Sequence, residues 1–125
     1  MFKSSGIITY YPNWWAVIYV DDNIAKYYRH LLYWDQFIKL NKGRYPAHIS
    51  LIYKEEPRKN KNDWGFNHLQ DVEFEYDNNI QHDEGGLGYW INVKCDIFEK
   101  IRERFGLTME YYTPHITIGN LKGII

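Results

Sequence analysis

Tyr45-Pro46-Ala47-His48-Ile49-Ser50-Leu51 is answered, about half a chain length later, by Tyr112-Thr113-Pro114-His115-Ile116-Thr117-Ile118. Each stretch places a histidine, an apolar residue, a hydroxyl residue and a second apolar residue in succession. Strand side chains alternate between faces. As a strand, the first copy therefore points His48 and Ser50 one way and Ile49 and Leu51 the other. The second copy does the same with His115 and Thr117 against Ile116 and Ile118.

Working outward, the surroundings of the two copies also match. Trp15 to Val20 is rich in β-branched and aromatic residues and reads as a strand. Asp21 and Asp22 can cap a helix. Ile24, Tyr27, Tyr28, Leu31 and Leu32 recur at helical spacing, predicting a helix to about Phe37. Asn41, Lys42 and Gly43 break the chain before the His48 to Tyr53 strand. Glu55 to Asn67 is a long polar loop, and Val72 to Tyr76 alternates as a half-exposed strand. Asp77 to Gly88 reads as a turn region, with Gly85, Gly86 and Gly88 as turn residues rather than a phosphate-binding loop. Tyr89 to Cys95 is a strand. Asp96 with Glu99 resembles a capping box, Ile97, Phe98, Ile101 and Phe105 form a helical stripe, and Gly106 ends it. Leu107 to Tyr111 reads as a short strand before the His115 strand. The chain thus predicts strand, helix and strand twice, an α+β fold built as a duplication. Its expected form is a single domain over residues 1–125, bilobal, with two β-α-β lobes and antiparallel sheets facing a central cleft.

If the lobes face each other, His48, Ser50, His115 and Thr117 converge. Two imidazoles and two hydroxyls can process one phosphodiester without a metal. One imidazole removes a proton from the attacking hydroxyl and the other protonates the leaving oxygen. An imidazole ordinarily titrates near pH 6.5, which suits both tasks. The hydroxyls donate to the non-bridging oxygens, where negative charge is held. Residue types alone leave open which histidine is the base.

Composition narrows the partners. The 125 residues carry a net charge of −1, against the strongly basic footprint of proteins that track long nucleic acid. A local basic excess, Lys54, Arg58, Lys59 and Lys61, is either a solvated loop or a rim that attracts a small anion. One cysteine, Cys95, excludes an internal disulfide and suits a packed position. His30, His68 and His82 have no partner at metal-ligand spacing. No metal or cofactor is expected. Met1 is followed by a polar, mixed start, and no apolar run approaches the roughly 20 residues that span a bilayer. The expectation is a cytoplasmic protein without membrane partners.

For substrate contacts, Arg44 shares the strand parity of His48 if that strand starts early. Among the 12 tyrosines and 5 tryptophans, Tyr10, Tyr11 and Trp64 could stack on a base. Packing beside Trp14 and Trp15 is the competing role for Tyr10 and Tyr11. The substrate-binding expectation is Tyr11, Arg44 and Trp64.

The paired H-x-S/T-hydrophobic motifs resemble those of the two-histidine (2H) phosphoesterase superfamily, which includes the 2′-5′ RNA ligase-like enzymes and cyclic phosphodiesterases. The resemblance rests on His48 with Ser50 and His115 with Thr117, and Ser50 stands where Thr is commoner. It implies a bilobal, metal-independent enzyme acting on 2′,5′-linked, 3′,5′-linked or 2′,3′-cyclic phosphates. Compact size, aromatic richness and lack of a basic tract make the chain most similar to the small phage enzymes that cleave cyclic oligonucleotide signals of CBASS defence. The implied substrate is a cyclic di- or trinucleotide, met in the host cytoplasm.

Overall fold

A computed structural model describes residues 1–110 and 112–121. Its elements are β1 (Phe2–Tyr11), β2 (Trp15–Tyr19), α1 (Asp22–Gln36), β3 (His48–Tyr53), β4 (Asp71–His82), β5 (Gly88–Lys94), α2 (Asp96–Arg104) and β6 (His115–Asn120), with a short 3-10 turn at Lys61–Asp63. Strand, strand, helix, strand is the order up to β3 and again from β4 to β6. The halves do not keep separate sheets, however. The strands pair antiparallel in the ring β1-β2-β3-β6-β5-β4, which closes on itself through β4 and β1. The expected pair of sheets across a cleft is thus one six-stranded, barrel-like sheet.

Alternation sorts residues as strand geometry requires. Ile8, Ile18, Ile49, Leu51, Ile91, Ile116 and Ile118 are buried in one core with Ile24, Tyr28 and Leu32 of α1 and Phe98, Ile101 and Phe105 of α2. The helices therefore bear on the apolar face, and the opposite face is left to polar and aromatic side chains.

Strand β1 was not expected, because Ser4, Ser5 and Gly6 interrupt its apolar pattern. β1 changes partners at Ile7, the residue after Gly6. Phe2 to Ile7 pair with β4, and Ile7 to Tyr11 pair with β2. A Cβ at Gly6 would lie 2.4 Å from the Tyr19 carbonyl oxygen, so any side chain there would force the neighbouring strand to shift. Strand β4 also extends six residues beyond the expected Tyr76, to His82, with a register shift between Tyr76 and Ile80. The turn is confined to residues 83–87. There Asp83 accepts from the Leu87 and Gly88 amides at 2.8 and 2.9 Å.

Helix ends follow local chemistry. Asp21 caps α1 by accepting from the Asn23 amide at 2.9 Å. At α2 the cap is Cys95, without a side-chain bond, and Asp96 is the first helical residue. The expected capping box is therefore absent, and Asp96 and Glu99 act only as first-turn acids favoured by the helix dipole. Gly106 ends α2 with φ +71°. Its amide bonds Glu103 O and the Leu107 amide bonds Arg102 O, a Schellman arrangement. Residues 107–110 form no strand, and Tyr111 lies outside the described residues.

Candidate active site

The two histidine strands are neighbours in the ring, joined where Ile49 pairs with Ile116. Carrying that antiparallel register one residue either way sets His48 opposite Thr117 and Ser50 opposite His115. Directly opposed residues hold their Cβ atoms about 4.5–5.5 Å apart. The four side chains thus form a compact square on the open face, each histidine diagonal to the other. Ile49 and Ile116, fully buried between them, anchor the square from behind.

Both imidazoles are oriented by the same device. His48 Nδ1 lies 2.8 Å from the Pro46 carbonyl oxygen, and His115 Nδ1 lies 2.9 Å from that of Thr113. A carbonyl can only accept, so each Nδ1 carries a proton. Each Nε2 is left available to take or give one. The approach to His48 is held by Asp22, whose carboxylate accepts from the Ala47 amide at 2.6 Å.

Each helix also reaches across to the other half's histidine strand. Arg29 of α1 donates to Ile118 O of β6 at 2.8 Å, and Arg102 of α2 donates to Leu51 O of β3 at 3.0 Å. Both carbonyls lie three residues beyond a motif histidine. Arg102 is buried and forms a bidentate pair with Glu55 at 2.8 and 2.9 Å. It also donates to Thr108 O and lies 4.0 Å from the centre of the Tyr112 ring. One guanidinium therefore ties β3 to the segment that leads into His115.

Aromatic rings surround the square. Tyr19, Trp15 and Tyr45 lie 6.3, 6.5 and 6.5 Å from the His48 ring, and Trp90 lies 6.0 Å from His115. Tyr11 stacks on Trp15 at 4.8 Å and shares a hydroxyl hydrogen bond with Tyr19. That places it in the wall beside His48, one ring removed. Desolvation and the Tyr11 bond push the Tyr19 phenol up to about 12. Tyr10 is core, bonded to buried Asn67 at 2.7 Å, and its phenol is raised by burial.

Trp64 does not join this wall. Its indole N–H donates to Tyr11 O at 3.1 Å, and its ring packs on Tyr10, Trp14 and Phe105. The expected stacking ring is thus a packing ring. Arg44 precedes β3 in a loop, so the strand-parity reason for it fails. It nevertheless lines the cleft of about 670 Å³ that opens beside His48 and Thr117. Lys54, Arg58, Lys59 and Lys61 do not line that cleft; the backbone amides of Arg58 and Lys59 donate to Phe105 O at the C-terminal end of α2.

Trp15, Tyr19, Tyr45, Trp90 and Asn92 were not singled out in the sequence. Asn92 sits directly opposite His115 in the β5–β6 register. Only Tyr45 carried a local signal, since it stands three residues before His48 as Tyr112 does before His115. The others declare themselves through cross-strand pairing alone.

Two histidines and two hydroxyl residues thus share one face of adjacent strands on a small α+β barrel. The chain belongs to the family described as Swiss Army Knife, 2H phosphoesterase domain, whose family model matches residues 17–123. Phosphodiesterase-type activity on phosphodiester bonds comes with that family. No curated protein and no solved structure gives a match. Among the described residues, no helix is long and apolar enough to cross a membrane.

Proposed function

We propose that the chain cleaves small cyclic oligonucleotides, such as the di- and trinucleotide signals of CBASS defence, by two-histidine general acid–base catalysis without a metal. A role in phage counter-defence is part of the same reading. The observation that carries it is the matched pair of Nδ1-to-carbonyl locks, which leaves two free Nε2 atoms beside two hydroxyls. The repeated element order supports an internal duplication in which each half supplies one histidine and one hydroxyl.

In the proposed step, one imidazole Nε2 takes the proton of a ribose 2′-hydroxyl. That oxygen attacks the adjacent phosphorus, and the bond from phosphorus to O5′ of the next nucleotide breaks. The other imidazole, protonated, gives its proton to the departing O5′. The products are a 2′,3′-cyclic phosphate and a 5′-hydroxyl, and the ring is opened. Ser50 and Thr117 donate to the non-bridging oxygens as charge builds on them. Tyr11 and Arg44 contribute to substrate binding, through the aromatic wall and the cleft respectively.

The test is incubation in EDTA with 3′,3′- and 2′,3′-linked cyclic di- and trinucleotides and with RNA ending in a 2′,3′-cyclic phosphate, read by mass spectrometry. Linearised rings are expected from the wild type. His48→Ala and His115→Ala should each lose about 10²–10⁴-fold in rate while keeping the same melting temperature. Opening of RNA ends alone would move the activity to RNA-end processing, and recovery of intact ligand from a tight complex would make the protein a sponge. Equal turnover of the 2′-deoxy analogue sinks the 2′-hydroxyl mechanism.

A further inference from the structure

The cleft beside His48 and Thr117 gathers charge from two distant segments. Lys26 and Arg29 come from one face of α1, and Lys42 and Arg44 come from the loop before β3. The only carboxylate lining the cleft is Asp22, and it already accepts the Ala47 amide. Four cations thus face one carboxylate in a chain whose net charge is −1. None of the four forms an ion pair among the described residues, whose pairs join Lys61 to Glu56, Arg102 to Glu55 and Arg104 to Asp63. Arg29 is further pinned by its bond to Ile118 O. Asp22 offsets part of the Arg29 charge, and the excess positive charge left in a concave site attracts anions and strengthens their binding where the walls exclude water.

The cleft opens on only one side of the square. It reaches His48 and Thr117 but not Ser50 or His115. With Ser50 and Thr117 assigned to the non-bridging oxygens of the scissile group, the cations are free to hold a second anionic group. We infer that this cleft is a second phosphate subsite, binding a phosphate one nucleotide away from the scissile diester on the His48 side. The inference rests on the phosphodiesterase reading above and narrows its substrate. The preferred ligand carries at least two phosphates, as a cyclic dinucleotide or short oligonucleotide does and a mononucleoside cyclic phosphate does not.

The experiment measures binding by calorimetry with deoxy-dinucleotides, which cannot be cut by 2′-hydroxyl attack. One ligand has a single internal phosphate. Two others add a phosphate at the 5′ or the 3′ end. One of the two-phosphate ligands should bind roughly tenfold tighter than the single-phosphate ligand, as charge-assisted contacts allow. The gain should vanish in Lys26→Gln/Arg44→Gln, shrink in Lys42→Gln, and fade as salt screens it. Circular dichroism confirms that the exposed substitutions leave the fold intact. If neither end phosphate tightens binding, or the gain survives in the double variant, the subsite is wrong. Turnover of the ribo-substrates is scored separately. Turnover without the affinity gain rejects the subsite alone, and the gain without turnover upholds the subsite and rejects the phosphodiesterase reading.

Discussion

A histidine that must either take or give a proton needs one ring nitrogen settled before substrate arrives. Here Pro46 O and Thr113 O settle it at both positions. Each Nδ1 is committed to a donor role, and each Nε2 is spared. The proposed mechanism then asks most of the neighbouring hydroxyls. Thr117→Val keeps the shape of the side chain and removes its donor. The expected result is a fall in kcat of about 10²-fold, with KM little changed, as when one oxyanion donor is lost elsewhere; steady-state kinetics on the cyclic nucleotide checks it. A second expectation concerns Tyr19, whose phenol is pushed from 10.0 up to about 12 by desolvation and by its bond to Tyr11. The folded pKa is raised, so the associated stability is complete below pH 10 and is lost as pH rises toward about 12. Melting temperature should therefore fall across that window. Tyr19→Phe should flatten part of the decline, and ultraviolet titration should show a phenol ionising late. At this scale the sequence was most legible. His48, Ser50, His115 and Thr117 share one face because strand alternation is a local rule. Trp64 was harder to read, because a ring in a polar loop looks free until its partners, Tyr10, Trp14 and Phe105, are brought to it from elsewhere.

Elements connect through a few buried polar groups, and Arg102 is the clearest. Its guanidinium meets Glu55, Leu51 O and Thr108 O. Arg102→Ala would leave the Glu55 carboxylate without its partner in a site mostly shut from water. Breaking such a pair from one side costs about 3–5 kcal/mol, which urea unfolding would measure. Arg102→Lys should recover only part of that loss, because an ammonium cannot reproduce the bidentate fork. The expected helices and five of the six strands, one of them only in its first half, were readable from periodicity and breakers. The exceptions have physical reasons. β1 hides behind Ser4, Ser5 and Gly6, small residues that weaken a strand pattern but fit a crowded crossing. The second half of β4 hides because Asp77, Asn78 and Asn79 resemble a turn, whereas the chain absorbs them as a register shift. The Asp96 capping box failed by a single position, since Cys95 takes the cap.

Across the whole molecule, ring closure makes both halves contribute to one core. Unfolding should accordingly be a single cooperative transition, with calorimetric and van't Hoff enthalpies equal. Gly6→Ala tests this at the crossing between β4 and β2. The added methyl meets Tyr19 O and Ile18 Cγ2 at 2.4 and 2.5 Å, and overpacking of this kind typically costs about 1–3 kcal/mol. The same transition should shift as a whole. A lower melting point for one half alone would contradict the shared core. Strand order and the cationic cleft were the least legible features, and for one reason. Pairing between β3 and β6, or between α1 and the loop at 42–44, joins residues far apart in sequence, and no local window contains both partners. The basic residues at 54–61 stand together in the sequence, whereas of the four cations that meet in the cleft only Arg44 carried a local signal. That cleft has a last consequence. His48 across from Thr117, and Ser50 across from His115, make a square that reads the same after a half turn, so it offers a nucleotide chain no sense of direction. The cationic flank beside His48 is one feature that would tell one strand polarity from the other. Moving its cations to the His115 side would be expected to reverse the orientation in which a linear oligonucleotide is threaded and cut.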